Sequence, residues 1–85
     1  MKALQAYIDK QNKWNAIFGS TQYEIKTAKG RQALAQQIDC ALSPENLSCD
    51  GELPRAEVNR RYRELTTVAK QLLALDPTVQ IHEYA

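Results

Sequence analysis

Apolar side chains recur at helical spacing in three stretches of this chain, and what lies between those stretches is polar or conformationally unusual. In the first stretch Leu4, Tyr7, Ile8, Trp14, Ile17 and Phe18 return about every third or fourth position, with Gln5, Asp9, Lys10, Asn12 and Lys13 between them. This spacing predicts a helix from about residue 2 to residue 18. Gly19 follows the last apolar residue, where a left-handed C-terminal cap is commonly placed.

The second stretch runs from about 22 to 42, with Tyr23, Thr27, Gly30, Arg31, Leu34, Ile38, Ala41 and Leu42 on one side of a helical wheel. Thr21 and Glu24 form an S/T-x-x-E pair, the pattern of a capping box that would open this helix. Gly30 on the apolar side costs about 1 kcal/mol relative to alanine but would permit a close crossing with another helix. An alternative remains open here. Tyr23, Ile25 and Thr27 alternate like a strand, so residues 22–29 and the C-terminal tail are also compatible with a small hairpin in an α+β fold.

Ser43-Pro44-Glu45 places an N-cap serine before a proline, which predicts one short helical turn at about 44–47. Asp50-Gly51 marks a turn. The third long helix is expected from about 54 to 75, on a seam of Val58, Tyr62, Leu65, Ala69 and Leu72 widened by Val68, Leu73 and Leu75. Asp76-Pro77 ends it, because a residue before proline disfavours the helical region. The tail "TVQIHEYA" alternates Val79, Ile81 and Tyr84, which suits packing across the helices, an edge strand or a loose end. The expected fold is all-α: a three-helix bundle with a short helical turn and an extended C-terminal tail, in one domain spanning 1–85.

Composition narrows this picture rather than changing it. Hydrophobic residues make up 44% of the 85 residues and charged residues 25%, which is too apolar for a disordered chain. A chain of this length supports one core and no deep, walled active site. The net charge of +1 gives no global attraction to nucleic acid or anionic lipid. Locally, an acidic joint carrying Glu45, Asp50 and Glu52 separates two mildly basic halves. No run approaches the roughly 18 apolar residues of a membrane span, and the amino-terminal stretch lacks the unbroken apolar segment of a signal peptide. The expected compartment is the cytoplasm, where Cys40 and Cys49 are expected as free thiols.

Candidate chemistry is sparse. Cys40, Cys49 and the single histidine, His82, have none of the spacings of a structural zinc site. Glu45, Asp50 and Glu52 do not fall at calcium-loop positions, and helix starts and a turn account for them. The triplet Asn46-Leu47-Ser48 matches a glycosylation acceptor but carries no meaning without a secretory route. Three scattered glycines make no phosphate loop, and one histidine near the end of the chain makes a catalytic triad an unpromising idea. No catalytic residue, metal, cofactor or small-molecule substrate is expected.

Two signals remain. "RAEVNRRYR" concentrates Arg55, Arg60, Arg61 and Arg63 near the start of one helix, as a DNA recognition helix would. Glu57 and Glu64 lie among these arginines, however, at spacings that allow ordinary pairing along a solvated helix face. There is also more large apolar surface than so small a core needs, including Trp14, Ile17, Phe18, Tyr23 and Tyr62. Aromatic residues with arginine are the usual composition of protein-binding hot spots. The candidate interaction surface is therefore Arg55, Arg60, Arg61, Tyr62, Arg63, Trp14 and Tyr23.

The segments "LSPENLSCDGEL" and "RRYRELTTVAKQLLALDP" resemble the C-terminal half of small uncharacterised phage and plasmid accessory proteins of enteric bacteria. The resemblance covers about half of the chain and implies a bacterial cytoplasmic accessory protein, with no activity or site to carry over. The functional expectation is a non-enzymatic protein that binds another protein or a second copy of itself. A DNA-binding module using the third long helix is the alternative.

Overall fold

The computed structural model of the chain describes residues 2–84 and, with them, four α-helices and a closing 3-10 turn; the Tyr84 side chain, part of the tail's alternation, lies outside the description, as does Ala85. The helices are α1 (Lys2–Ile17), α2 (Ala28–Ala41), the short α3 (Pro44–Ser48) and α4 (Arg55–Leu75). The 3-10 turn spans His82–Tyr84. The fold is all-α, and the bundle is organised around α4, against which α1, α2 and α3 all pack.

The predicted periodicities fill the core. α1 contributes Leu4, Tyr7 and Ile8, α2 contributes Leu34, Ala35 and Ile38, and α4 contributes Leu65, Val68, Ala69 and Leu72. Leu42 and Leu47 close one side, and Val79 and Ile81 from the tail close another. The tail therefore packs across the helices. Burying a side chain such as Leu34 or Leu72 stabilises the fold by about 2 kcal/mol relative to leaving it in water. No polar or charged residue is buried among the described residues, so apolar packing carries this interior without a buried ionic network.

α1 runs antiparallel to α4. The Leu4 N–H donates to Gln71 Oε1 at 2.9 Å near the end of α4, whereas Lys10 and Gln11 lie across from Arg60 and Arg61 near its start. Gly19, at φ 69°, ends α1 as expected, with Ser20 N–H donating to the Asn15 carbonyl and Gly19 N–H to that of Ala16. The same two-bond closure ends α3, where Asp50 N–H donates to Glu45 and Cys49 N–H to Asn46. There the left-handed position is held by a cysteine, Cys49, at φ 48°, followed by Asp50 at φ 57°.

The start of the second long helix departs from the sequence expectation. It begins at Ala28, not near residue 22, and the capping box of Thr21 and Glu24 does not form. Thr27 is the cap: its Oγ1 accepts the Gly30 N–H at 3.0 Å. Residues 20–27 are a connection held to α1 by side-chain amides. Asn12 Nδ2 donates to the Tyr23 carbonyl at 2.9 Å, and Asn12 Oδ1 accepts the Tyr23 N–H at 2.6 Å. One asparagine thus satisfies both backbone groups of Tyr23, as a neighbouring strand would. This explains the strand-like alternation without any strand: Tyr23 and Ile25 turn inward and pack against the core. The alternative hairpin between 22–29 and the tail is not present.

Gly30 also serves differently from expectation. A Cβ there would collide with the backbone carbonyl of Glu24, so the close approach it permits is to the preceding connection and not to another helix. Arg31 completes this corner. Its Nη1 donates to the Ile25 carbonyl at 2.9 Å, and its Nε donates to Asp76 Oδ2 at 2.6 Å. The connection, α2 and the end of α4 are thereby clamped by one side chain.

Candidate protein-interaction surface

The second half of α1 and Phe18, the first residue past its end, carry the most exposed large apolar groups of the described residues. Trp14 is 54% exposed, Ile17 67% and Phe18 71%. Helical geometry brings positions 14 and 18 together, and their rings stack at a centroid distance of 5.9 Å with planes 6° apart. The inward positions of these turns belong to Gln11, Asn12 and Asn15, which are half-buried. Asn12 and Asn15 face the connection, where Asn15 Nδ2 donates to the Thr21 carbonyl at 2.9 Å. Polar grips thus occupy the side that faces the protein, and the aromatics form a ledge beside them.

The ledge adjoins a cleft. Trp14 lies seven residues beyond Tyr7 and four beyond Lys10, so all three share one stripe of α1. Tyr7 and Lys10 line a cleft of about 470 Å³ together with Gln37 and Cys40 of α2, Asn46 of α3, and Arg60, Arg61 and Glu64 of α4. Burial pushes the Tyr7 phenol above its ordinary pKa, which keeps it neutral and able to donate. The cleft is amphoteric, with Lys10, Arg60 and Arg61 opposed by Glu64, and Glu57 beside it.

The arginines of α4 divide into two kinds. Arg60 is held by both acids around it, Glu57 at 2.6 Å and Glu64 at 3.0 Å. Hydrogen bonds from Arg60 lower the Glu57 carboxyl below its ordinary range, and Arg61 also approaches Glu57, at 3.5 Å. Arg55 and Arg63 are exposed and have no carboxylate at ion-pair distance among the described residues. Tyr62 is 47% exposed and does not line the cleft. Tyr23 is half-buried against the core, with its hydroxyl 3.5 Å from Gln37 Oε1. The structure therefore brings Arg60 and Arg61 to the cleft and Trp14 to the adjoining ledge, and leaves the other four candidates apart.

Ile17 and Phe18, which the sequence marks as surplus apolar surface outside the candidate set, stand on the ledge. The available signal was the aromatic pair four residues apart directly before a helix-ending glycine. Lys10 and Lys13, exposed on the same helix, also lie outside that candidate set.

Cys40 and Cys49 are exposed free thiols. Cys40 Sγ lies 3.4 Å from Asn46 Nδ2, and Cys49 Sγ lies 3.8 Å from Arg61 Nη1. The described residues contain no group of three or more His, Cys, Asp or Glu side chains placed to hold a metal ion. No described helix is long and apolar enough to cross a membrane. No family model matches the chain, and neither a curated protein nor a solved structure matches it.

Proposed function

We propose that this is a non-enzymatic interaction protein that binds a protein partner through the Trp14–Ile17–Phe18 ledge and the cleft beside it. The observation that carries this reading is the exposure of three large apolar groups at the end of a helix whose first half buries Leu4, Tyr7 and Ile8 in the core. Keeping such groups in water costs about 1.5–3 kcal/mol for each side chain that a partner would otherwise cover. Stacked, rigid aromatics flanked by arginine and lysine have the composition of a binding hot spot. The resemblance of the second half to phage and plasmid proteins supports a bacterial accessory role for this binding.

The reading is tested by capture from a bacterial lysate with mass identification, using the native chain beside a Trp14→Ser, Phe18→Ser variant. The expected result is a partner retained by the native chain and lost by the variant. Identical catches from both proteins would remove the ledge from the function. The DNA-binding alternative draws on Arg55 and Arg63 alone among the four arginines. It predicts salt-dependent binding to duplex DNA that weakens in an Arg55→Ala, Arg63→Ala variant.

A further inference from the structure

We propose that the ledge is half of a symmetric interface and that its occupant is the same ledge on a second copy of this chain. The proposal rests on the protein-binding reading above and names the partner. Its basis is the charge distribution at one end of the bundle. Because α1 and α4 are antiparallel, the Trp14–Phe18 end of α1 and the start of α4 point the same way, and the joint that precedes α4 lies at that end too. Lys10 and Lys13 flank the aromatics on α1, and Glu45 and Glu52 lie on the joint. All four are exposed, and none has an ion-pair partner among the described residues.

An end that carries unpaired charges of both signs together with an apolar ledge has what a copy of itself needs for its charges to be matched. A two-fold axis through such a patch sets each copy's lysines against the other copy's carboxylates while the aromatic ledges meet at the centre, which is the requirement of an isologous interface. An anionic membrane or nucleic acid would suit the lysines but would be repelled by the carboxylates of the joint. The area also fits. The exposed parts of Trp14, Ile17 and Phe18 amount to roughly 400 Å² on ordinary side-chain areas. That is about half of the roughly 800 Å² per partner of a standard interface, whose remainder is polar rim.

The test is the mass of the native chain in solution, by sedimentation or light scattering, from low micromolar to near-millimolar concentration. Three variants accompany it: Trp14→Ser with Phe18→Ser, Lys10→Glu with Lys13→Glu, and Glu45→Lys with Glu52→Lys. All six positions are exposed, and far-ultraviolet circular dichroism confirms that each variant keeps its helices. The expected result is a concentration-dependent dimer, weakened at least about thirtyfold by the aromatic pair of changes. Each charge reversal weakens it alone, and an equimolar mixture of the two reversals restores a dimer containing one of each. A native chain that is monomeric throughout overturns the proposal, as does a dimer indifferent to loss of the aromatics or a mixture no tighter than its parts. A monomeric chain that still captures a lysate protein through Trp14 sinks the second copy as occupant and leaves protein binding standing. A chain that neither dimerises nor captures sinks both.

Discussion

The two halves of α1 use the same kinds of residue at the same spacing for opposite ends. Leu4, Tyr7 and Ile8 are buried against α4 and the rest of the core, whereas Trp14, Ile17 and Phe18 stand in water. What separates the halves is the side that each presents inward. In the first half it is apolar and meets apolar neighbours. In the second it is amide-bearing, and Asn12 and Asn15 spend it on the backbone of the 20–27 connection. An apolar stripe is thus an invitation to burial, and burial follows only where another element arrives to accept it.

The contrast is sharpest at its extremes. Leu4→Ala removes a side chain that is 1% exposed, and a loss of about 2–5 kcal/mol is expected in urea unfolding, enough to leave little folded protein in a domain of this size. A value near zero would mean that the first half is no more engaged than the second. Asn12→Ala comes next, because it strips both backbone groups of Tyr23 of their partner in a half-buried setting. A cost of about 1–3 kcal/mol is expected, with faster amide exchange at Tyr23 as the local readout. If stability and exchange are unchanged, the polar grip is not what fixes the outer half of α1.

Helix ends offer a smaller test of the same theme. Gly19 and Cys49 occupy equivalent positions in two closures, but only the glycine adopts positive φ without steric cost. Cys49→Gly is expected to raise stability by up to about 1 kcal/mol, read as an increase in the denaturation midpoint. Asp76 supplies a prediction of direction. Hydrogen bonds from Thr78 and Arg31 lower its carboxyl pKa from 3.8 to about 2, so the stability it adds is present above the ordinary value and is lost as pH falls between the two. In Asp76→Asn that contribution is absent at every pH, and the gap from the native chain should close on acidification through this window. A gap that stays constant would show that the carboxyl is not linked to folding. Smallest of all, Ile17→Ser on the ledge should change stability by less than about 0.5 kcal/mol.

Much of the fold was legible in the pattern of residues. Leu4, Tyr7 and Ile8, the run from Leu34 to Leu42, and the seam from Leu65 to Leu72 all repeat at helical intervals and all lie in the core. Gly19 and Asp76-Pro77 stop helices where local backbone preference says they must. The start of α2 was not legible, because two threonines each precede a plausible first turn. Asn12 and Arg31 decide between them from distant positions, and neither announces its partner in the sequence. The ledge was hidden for a related reason. The pairing of Trp14 with Phe18 before Gly19 is a hint, but only the placement of α4 and the connection reveals which of Trp14 and Tyr7 is covered. Tyr23 shows the reverse case, a residue with the composition of a contact surface that the amide grip of Asn12 draws towards the core.

The bond from Leu4 to Gln71 joins positions 67 apart, and the tail returns in the same way, with Glu83 N–H reaching Asp39 at 2.8 Å. During synthesis α1 emerges well before α4, the surface that shelters its inner half. Until α4 is complete, Leu4, Tyr7 and Ile8 are as bare as Trp14. Contacts this distant in sequence form slowly compared with those of a simple hairpin of helices. The interval between the making of α1 and its covering is therefore when this chain is most open to aggregation, or to the attention of a chaperone.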